Sequence, residues 1–247
     1  MRTLTHRLLA VLLVLSFAPA AFAQSADDII EKSLTAMGGR AALEKIKTRV
    51  MTGTITLRTP AGDIPGTIEI YNAAPNKTRT VINADLTSLG AGPMKIDQRF
   101  DGTSGYILDS MQGDRPVGGD QLANMRANAF PHPFLTYKAM GTTATLEGKE
   151  KIGDRDAYVI SFAPKEGPAV RQYIDVETSM PLRASIKMNV PQLGDLEQTS
   201  EASDFRVVDG VKVPFKVQVS SKVQGYTIVV TKVEQNTTLD EKMFVKP

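Results

Sequence analysis

The sequence predicts a mainly β protein in which a few short helices accompany one large antiparallel sheet. Two observations predict this fold class. From Arg49 onward, apolar and polar residues alternate in run after run, which is the period of half-buried strands. An Asp-Gly pair joins two of these runs directly, which is a strong hairpin signal. The 247 residues are long enough to bury a large core, and we expect one domain of about a dozen strands.

Residues 1–23 have the layout of a secretory signal peptide. Two arginines precede an apolar run at residues 8–17, and residues 21–23 form a small-x-small cleavage site. The apolar run is too short to cross about 30 Å of hydrocarbon. We therefore expect cleavage between Ala23 and Gln24, and a mature protein that works in the periplasm.

Charge and cysteine content exclude several classes of function. The chain has 29 basic and 27 acidic residues, and removing the two arginines of residues 1–23 leaves 27 against 27. A nucleic-acid binder normally has a basic excess or cluster, and this chain has neither. The absence of cysteine excludes disulfides, thiolate nucleophiles and cysteine-ligated metals, and also a lipid anchor on a cysteine at the cleavage site.

Two helices are predicted at the start of the mature chain. Apolar residues from Asp27 to Met37 lie near a 3.6-residue spacing, with aspartates in the first turn and Gly38-Gly39 as the stop. A second short helix is predicted from Arg40 to Ile46.

The remaining elements are predicted strands. In the first half they begin at Arg49 and continue at 66–72, 77–84, 94–100 and 105–109. In the second half, alternation marks strands around Ile160 and Ile186 and at 204–208, 211–219 and 226–233. Asp209-Gly210 predicts a type I′ hairpin, and Pro214 predicts an edge position or a bulge within its strand.

One segment interrupts the strands. The lid segment, defined as residues 112–140, contains two adjacent glycines, a predicted helix at 120–129 and the sequence Phe-Pro-His-Pro-Phe. A long interruption within a meander of strands is more often functional than idle.

The sequence predicts no catalytic residue, no metal ligand and no cofactor. His132 is the only histidine of the mature chain, and it has no serine or cysteine partner motif. No dinucleotide, phosphate-loop, zinc-protease or nucleophile-elbow motif is present. An enzyme that uses two carboxylates brought together by the fold stays open, because such pairing is spatial.

Several motifs follow one another in a recognisable order. Residues 68–79 contain a strand, a Pro-Asn turn and a second strand that carries Arg79. Residues 100–106 contain an Asp-Gly turn followed by an aromatic residue, and residues 244–247 form a closing Phe-x-x-Pro. This order resembles the periplasmic lipoprotein carrier (LolA/LolB-like) superfamily, and the resemblance covers most of residues 25–247. The lid segment falls where that family carries its lid helices.

The resemblance implies a LolA-like open β-barrel domain at residues 24–247: a single sheet curled into an unclosed half-barrel and lidded by short helices. Its cargo would be acyl chains of lipoproteins or other lipids. Apart from the resemblance, we expect transfer partners at the inner and outer membranes and a monomeric protein. Arg79 matches the arginine that hydrogen-bonds the lid in that family. Residues expected to form the lid or line the cavity are Phe130, Phe134, Leu135, Met140, Ile55, Ile70, Phe162 and Phe215.

Each of these assignments has an alternative at this point. Arg79 is equally compatible with a strand arginine that pairs with a carboxylate, and the apolar residues with an ordinary core. The whole protein would then be a non-catalytic envelope interaction module whose sheet is filled with its own side chains.

Overall fold

Among the residues that the computed structural model describes, 24–128, 130–190, 194–223 and 225–247, three α-helices and thirteen strands are present. The predicted signal peptide lies outside these residues. The helices are α1 (Ala26–Ala36), α2 (Arg40–Glu44) and α3 (Gly119–Ala127). The strands are β1 (Thr48–Thr59), β2 (Gly62–Ala73), β3 (Lys77–Asp85), β4 (Pro93–Phe100), β5 (Gly105–Asp109), β6 (Arg115–Val117), β7 (Thr143–Ile152), β8 (Arg155–Ala163), β9 (Val170–Asp175), β10 (Pro181–Val190), β11 (Gly194–Val208), β12 (Val211–Ser221) and β13 (Gly225–Gln235).

All thirteen strands belong to one antiparallel sheet that does not close into a barrel. Its order is β6-β5-β4-β3-β2-β1-β13-β12-β11-β10-β9-β8-β7. Every neighbouring pair is consecutive in the chain except β1 and β13, which join the two halves from Arg49 opposite Gln235 to Arg58 opposite Gly225. The predicted fold class, a single antiparallel sheet with short helices, is confirmed.

The predicted first helix is confirmed as α1. The Ser25 side chain accepts a hydrogen bond from the backbone N–H of Asp28, and the Asp28 carboxylate in turn accepts one from the Ser25 backbone N–H. This capping box satisfies backbone donors that the first turn otherwise leaves free. The helix ends before Gly38, whose φ of +123° favours glycine.

The tip of the β11–β12 hairpin holds the end of α1. Asp209 and Gly210 both have positive φ, which confirms the predicted type I′ turn. A Cβ on Gly38 would lie 2.4 Å from the carbonyl oxygen of Gly210, so only glycine permits this approach. The backbone N–H of Lys212 donates to the carbonyl of Met37 at 2.8 Å.

The main core lies between α1, α2 and one face of the sheet, called here the inner face. Ile29, Ile30 and Leu34 of α1 are almost fully buried. They share this core with alternate residues of the central strands and with part of the lid segment. Because both helices and lid residues press on the same face, the lid segment is a structural cover of the sheet.

Helix α3 crosses from one half of the sheet towards the other. Met125 of α3 packs in a second small core with Phe100 and Ile107. At the start of the helix, the Asp120 carboxylate accepts a hydrogen bond from the backbone N–H of Asn189 on β10, at 3.1 Å. None of the helices described here is long and apolar enough to cross a lipid bilayer.

Candidate functional site

Two adjoining chambers lie between the inner face of the sheet and the lid segment. The aromatic chamber has a volume of about 330 Å³ and is bordered by Phe134, Tyr137 and Phe162. The arginine chamber has a volume of about 510 Å³ and is bordered by Arg49 and His132. Both volumes fall within the range of small-molecule pockets, about 300–1,000 Å³.

A row of small and polar side chains forms the wall that the two chambers share. Gln172 on β9, Ala184 on β10 and Ser200 on β11 are register neighbours, and all three border both chambers. Asn124 and Asn128, from α3 and the residue after it, border both chambers from the lid side. The two chambers therefore adjoin beneath α3, and the side chains at their boundary are small or polar.

The aromatic chamber is built around Phe134, which is fully buried. Its ring stacks on that of Phe162, with centroids 5.2 Å apart. Tyr137 contacts Phe162 edge-on at 5.5 Å. Such ring pairs contribute to stability beyond the area that they bury. These contacts therefore hold the lid segment against β8.

Polar contacts attach the lid segment to the N-terminal helices. The Tyr137 hydroxyl donates to the Asp27 carboxylate on α1, and the Arg40 guanidinium donates to the carbonyl of Leu135 at 3.4 Å. Hydrogen bonds from Lys138 and Tyr137 lower the pKa of Asp27. Burial and the bond to Asp27 raise the pKa of Tyr137 to about 12, so the hydroxyl keeps its proton at neutral pH.

Arg49 enters the arginine chamber from the first strand. Its guanidinium lies over the ring of Phe130, 5.3 Å from the centroid. The Nε atom is buried and has no hydrogen-bond partner in the described parts of the chain. Burial lowers the pKa of Arg49 to about 10, so the group is still charged at neutral pH.

His132 lies at the same chamber in its neutral form. The backbone N–H of Phe134 donates to its Nδ1 at 3.3 Å, which places the ring proton on Nε2. Burial lowers the pKa of His132 to about 4, and the positive charge of Arg49 adds to this effect. At a pH between this value and the ordinary histidine pKa of 6.5, the imidazole binds a proton in the unfolded chain but not in the folded one.

This difference predicts an acid-dependent loss of stability. The ordinary pKa is 6.5, so the loss begins as the pH falls below 6.5 and continues towards 4. Between pH 7 and pH 5 we expect the free energy of unfolding to fall by about 2 kcal/mol through this group. Urea unfolding of wild type and His132→Gln across this range measures it. Identical pH slopes for the two proteins would contradict the prediction.

Arg79 does not point towards the lid. On β2 and β3 the residues facing the main core include Ile68, Ile70 and Ile82, whereas Arg79 pairs in register with Tyr71 on the opposite face. The resemblance led us to expect that Arg79 points towards the lid, and this orientation is corrected. Successive side chains along a strand point to opposite faces of the sheet, and that of Arg79 points to the outer face.

On that outer face, Arg79 is held by a carboxylate. Its Nε and Nη2 donate to both oxygens of Asp97 at 2.8 and 2.7 Å, and Arg99 donates to the same group. A latch role for Arg79 remains a prediction, and it would require this ion pair to open. Two other arginines contact the lid segment in this structure: Arg40 at the carbonyl of Leu135, and Arg49 at the ring of Phe130.

The other predicted residues divide into three groups. Phe130, Phe134 and Phe162 border the chambers. Ile55 and Phe215 are buried in the main core, and Ile70 and Leu135 pack against it, so these four border neither chamber. Met140 is exposed at the end of the lid segment.

Sequence reasoning missed Arg49 and the row through Ala184. A signal for Arg49 was present, since it precedes Met51 and Ile55 at even spacing and so shares their face of β1. The row through Ala184 had no such signal, because its residues come from three strands.

Carboxylates and clustered metal-ligand side chains are absent from the described lining of the chambers. Among the described residues, no aspartate or glutamate borders either chamber. Within the described ranges, no group of three or more histidine, aspartate or glutamate side chains is placed to hold a metal ion.

Comparison with solved structures identifies the architecture. A LolA superfamily protein from Nitrosomonas europaea superposes with a TM-score of 0.56 at 14% identity, covering 91% of this chain and 99% of that one. A putative outer membrane lipoprotein-sorting protein domain from Vibrio parahaemolyticus gives a TM-score of 0.55 at 12% identity, covering 87% and 97%. The chain has a LolA-like fold.

A third structure shares this LolA-like fold. A DUF1329 family protein from Desulfovibrio piger gives a TM-score of 0.57 at 12% identity, covering 89% of this chain and 95% of that one. No protein-family profile and no curated protein sequence matches the chain. The resemblance noted in the sequence is thus confirmed as a LolA-like fold, in which the lid segment covers the inner face of the sheet.

Proposed function

We propose that this protein is a non-catalytic periplasmic carrier that binds acyl chains of lipoproteins or other lipids and moves them towards the outer membrane. The observation that carries the proposal is the pair of adjoining chambers between the sheet and the lid segment. A transport role also implies transfer partners at the two membranes and a monomer that moves between them.

The aromatic chamber suits the apolar part of such a cargo. Phe134, Phe162 and Val170 present apolar surface to its interior. Each CH₂ group removed from water gains about 0.8 kcal/mol, so even a short acyl segment gains several kcal/mol on entry. A container of this kind is what an acyl chain needs to cross an aqueous compartment.

The rest of the space suits an amphipathic molecule better than a wholly apolar one. The aliphatic residues of the inner face are largely used in the core against α1, and much of what remains at the chambers is amide and hydroxyl. Cargo with a polar portion beside its acyl chain would satisfy these groups.

A bulky substitution at the shared wall is expected to block uptake. Ala184→Phe places a ring where both chambers meet, and we expect binding of dansyl-labelled undecanoic acid to weaken about tenfold or more. Fluorescence titration of delipidated protein measures this. The matched control is Lys187→Phe on the same strand, where the side chain is exposed.

The outcomes separate the carrier from the interaction module. Uptake by wild type and Lys187→Phe, lost in Ala184→Phe with unchanged melting temperature, supports the carrier. No uptake by folded wild type, and no lipid in mass spectra of the purified protein, would reject it in favour of a module with a filled interior.

A further inference from the structure

Arg49 differs from every other arginine in the described parts of the chain. Of these eleven arginines, eight form ion pairs with a carboxylate. Arg58 and Arg126 donate hydrogen bonds to oxygen atoms of Thr227 and Thr103. Among the arginines of the described residues, only Arg49 has neither an ion pair nor a side-chain hydrogen bond, although its Nε is buried.

The neighbours of Arg49 on the sheet are also incompletely satisfied. Asn72 on β2 and Gln235 on β13 lie directly opposite Arg49 in the two registers. The amide nitrogen of Asn72 and the amide oxygen of Gln235 are buried without partners in the described structure. Arg49 and Asn72 both border the arginine chamber, so two unused donors lie at one place. Buried donors without partners are rare and call for an explanation.

The charge around the chamber favours an anion. Among the described residues, those that border it include Arg49, Lys77, Arg183 and Lys212 and no aspartate or glutamate. Lys77 is already paired with Glu241, and Arg183 with Glu201. Lys212 is exposed to solvent, and His132 is neutral at pH 7. Arg49 is therefore the charged group at this chamber that combines a buried donor with the lack of a partner in the described structure.

We propose that Arg49, with Asn72, binds the anionic oxygens of an amphiphile whose acyl chain extends into the aromatic chamber. The inference rests on the proposed carrier function and adds the class of cargo: an acyl chain that carries a carboxylate or phosphate. A guanidinium presents several N–H donors in a fixed plane, which matches the oxygens of either group. The two chambers adjoin beneath α3, where such a ligand would pass from one to the other.

The test compares a charged probe with its uncharged analogue. Dansyl-labelled undecanoic acid and its methyl ester are titrated into delipidated protein at pH 7.5. In wild type we expect the acid to bind about ten- to hundredfold more tightly than the ester. In Arg49→Met we expect this preference to disappear while the ester affinity stays unchanged. Arg58→Met, at an exposed arginine on the opposite face of the same strand, is the matched control and should keep the full preference.

Stability separates a ligand-binding arginine from a structural one. Because no carboxylate pairs with Arg49, Arg49→Met should leave the melting temperature unchanged or raise it. Arg49→Lys should keep part of the preference for the acid. Competition by palmitate against palmitoyl lysophosphatidic acid then distinguishes a carboxylate cargo from a phosphate cargo.

Two results would overturn parts of this account separately. Equal affinity of wild type for acid and ester would reject anion recognition by Arg49 and leave the carrier intact. Binding of neither probe to folded wild type would reject the carrier itself. An acid preference that survives in Arg49→Met would place the anion elsewhere.

Discussion

Phe134→Ala is expected to lower the free energy of unfolding by about 3 to 5 kcal/mol, the range for truncating a buried phenylalanine. The side chain is fully buried, its ring stacks on Phe162 at 5.2 Å, and the His132 ring meets it edge-on at 4.4 Å. Removal would leave a cavity beside the aromatic chamber and end both ring contacts. Urea unfolding at pH 7.5 measures the change.

The control for this variant is Met140→Ala, at the exposed end of the same lid segment. A surface truncation of this kind should change stability by no more than about 0.5 kcal/mol. The loss of stability for Phe134→Leu should lie between those for Phe134→Ala and Met140→Ala. A loss below about 1 kcal/mol for Phe134→Ala would show that the lid segment contributes little to the fold.

Asp97→Ala is expected to lower the free energy of unfolding by about 2 to 4 kcal/mol, because it leaves two half-buried guanidinium groups without their shared carboxylate. Asp97 is nearly inaccessible and receives hydrogen bonds from both Arg79 and Arg99. The hydrogen bonds from these arginines lower the pKa of Asp97, although burial opposes them. Thermal and urea unfolding measure the loss, with the exposed Asp63→Ala as control.

The same cluster decides between two roles for Arg79. If Arg79 is a structural partner of Asp97 on the outer face, Arg79→Leu should reduce stability and leave probe binding unchanged. If Arg79 is a latch for the lid, the same substitution should alter the release of cargo more than it alters stability. Release rates of dansyl-labelled undecanoic acid, measured beside the melting temperature, separate these outcomes.

The fold was predictable from the sequence because its signals are local. The alternation around Met51 and Ile55, the capping aspartates of α1 and the Asp209-Gly210 turn each specify their own element, and all three are observed. The lid segment was recognisable because it breaks the alternation. Strand ends differ from prediction where pairing extends beyond the apolar run, as in β11, which begins at Gly194.

The candidate site was predictable only in part, because it depends on which face each strand turns inward. Phe134 was found because it lies in the lid segment, and Phe162 because it alternates with Tyr158 and Ile160 along its strand. Arg49 shares the spacing of the apolar residues of its strand, which the sequence already shows. Around Arg79 the apolar residues Val81 and Ile82 fall on both faces of the strand, so its orientation follows only from the observed register. The polar lining was unpredictable since α1 takes up the aliphatic surface that a cavity would otherwise use.

The single pairing of β1 with β13 has a consequence for folding. Every other strand pair joins consecutive strands, so each half of the sheet is a meander that can form from local contacts. The β1–β13 seam needs β13, and a chain emerging N-terminus first cannot close it until residues 225–235 have emerged. Until then the edge of β1 is unpaired and open to association with other chains, which makes it a segment that a chaperone would need to protect.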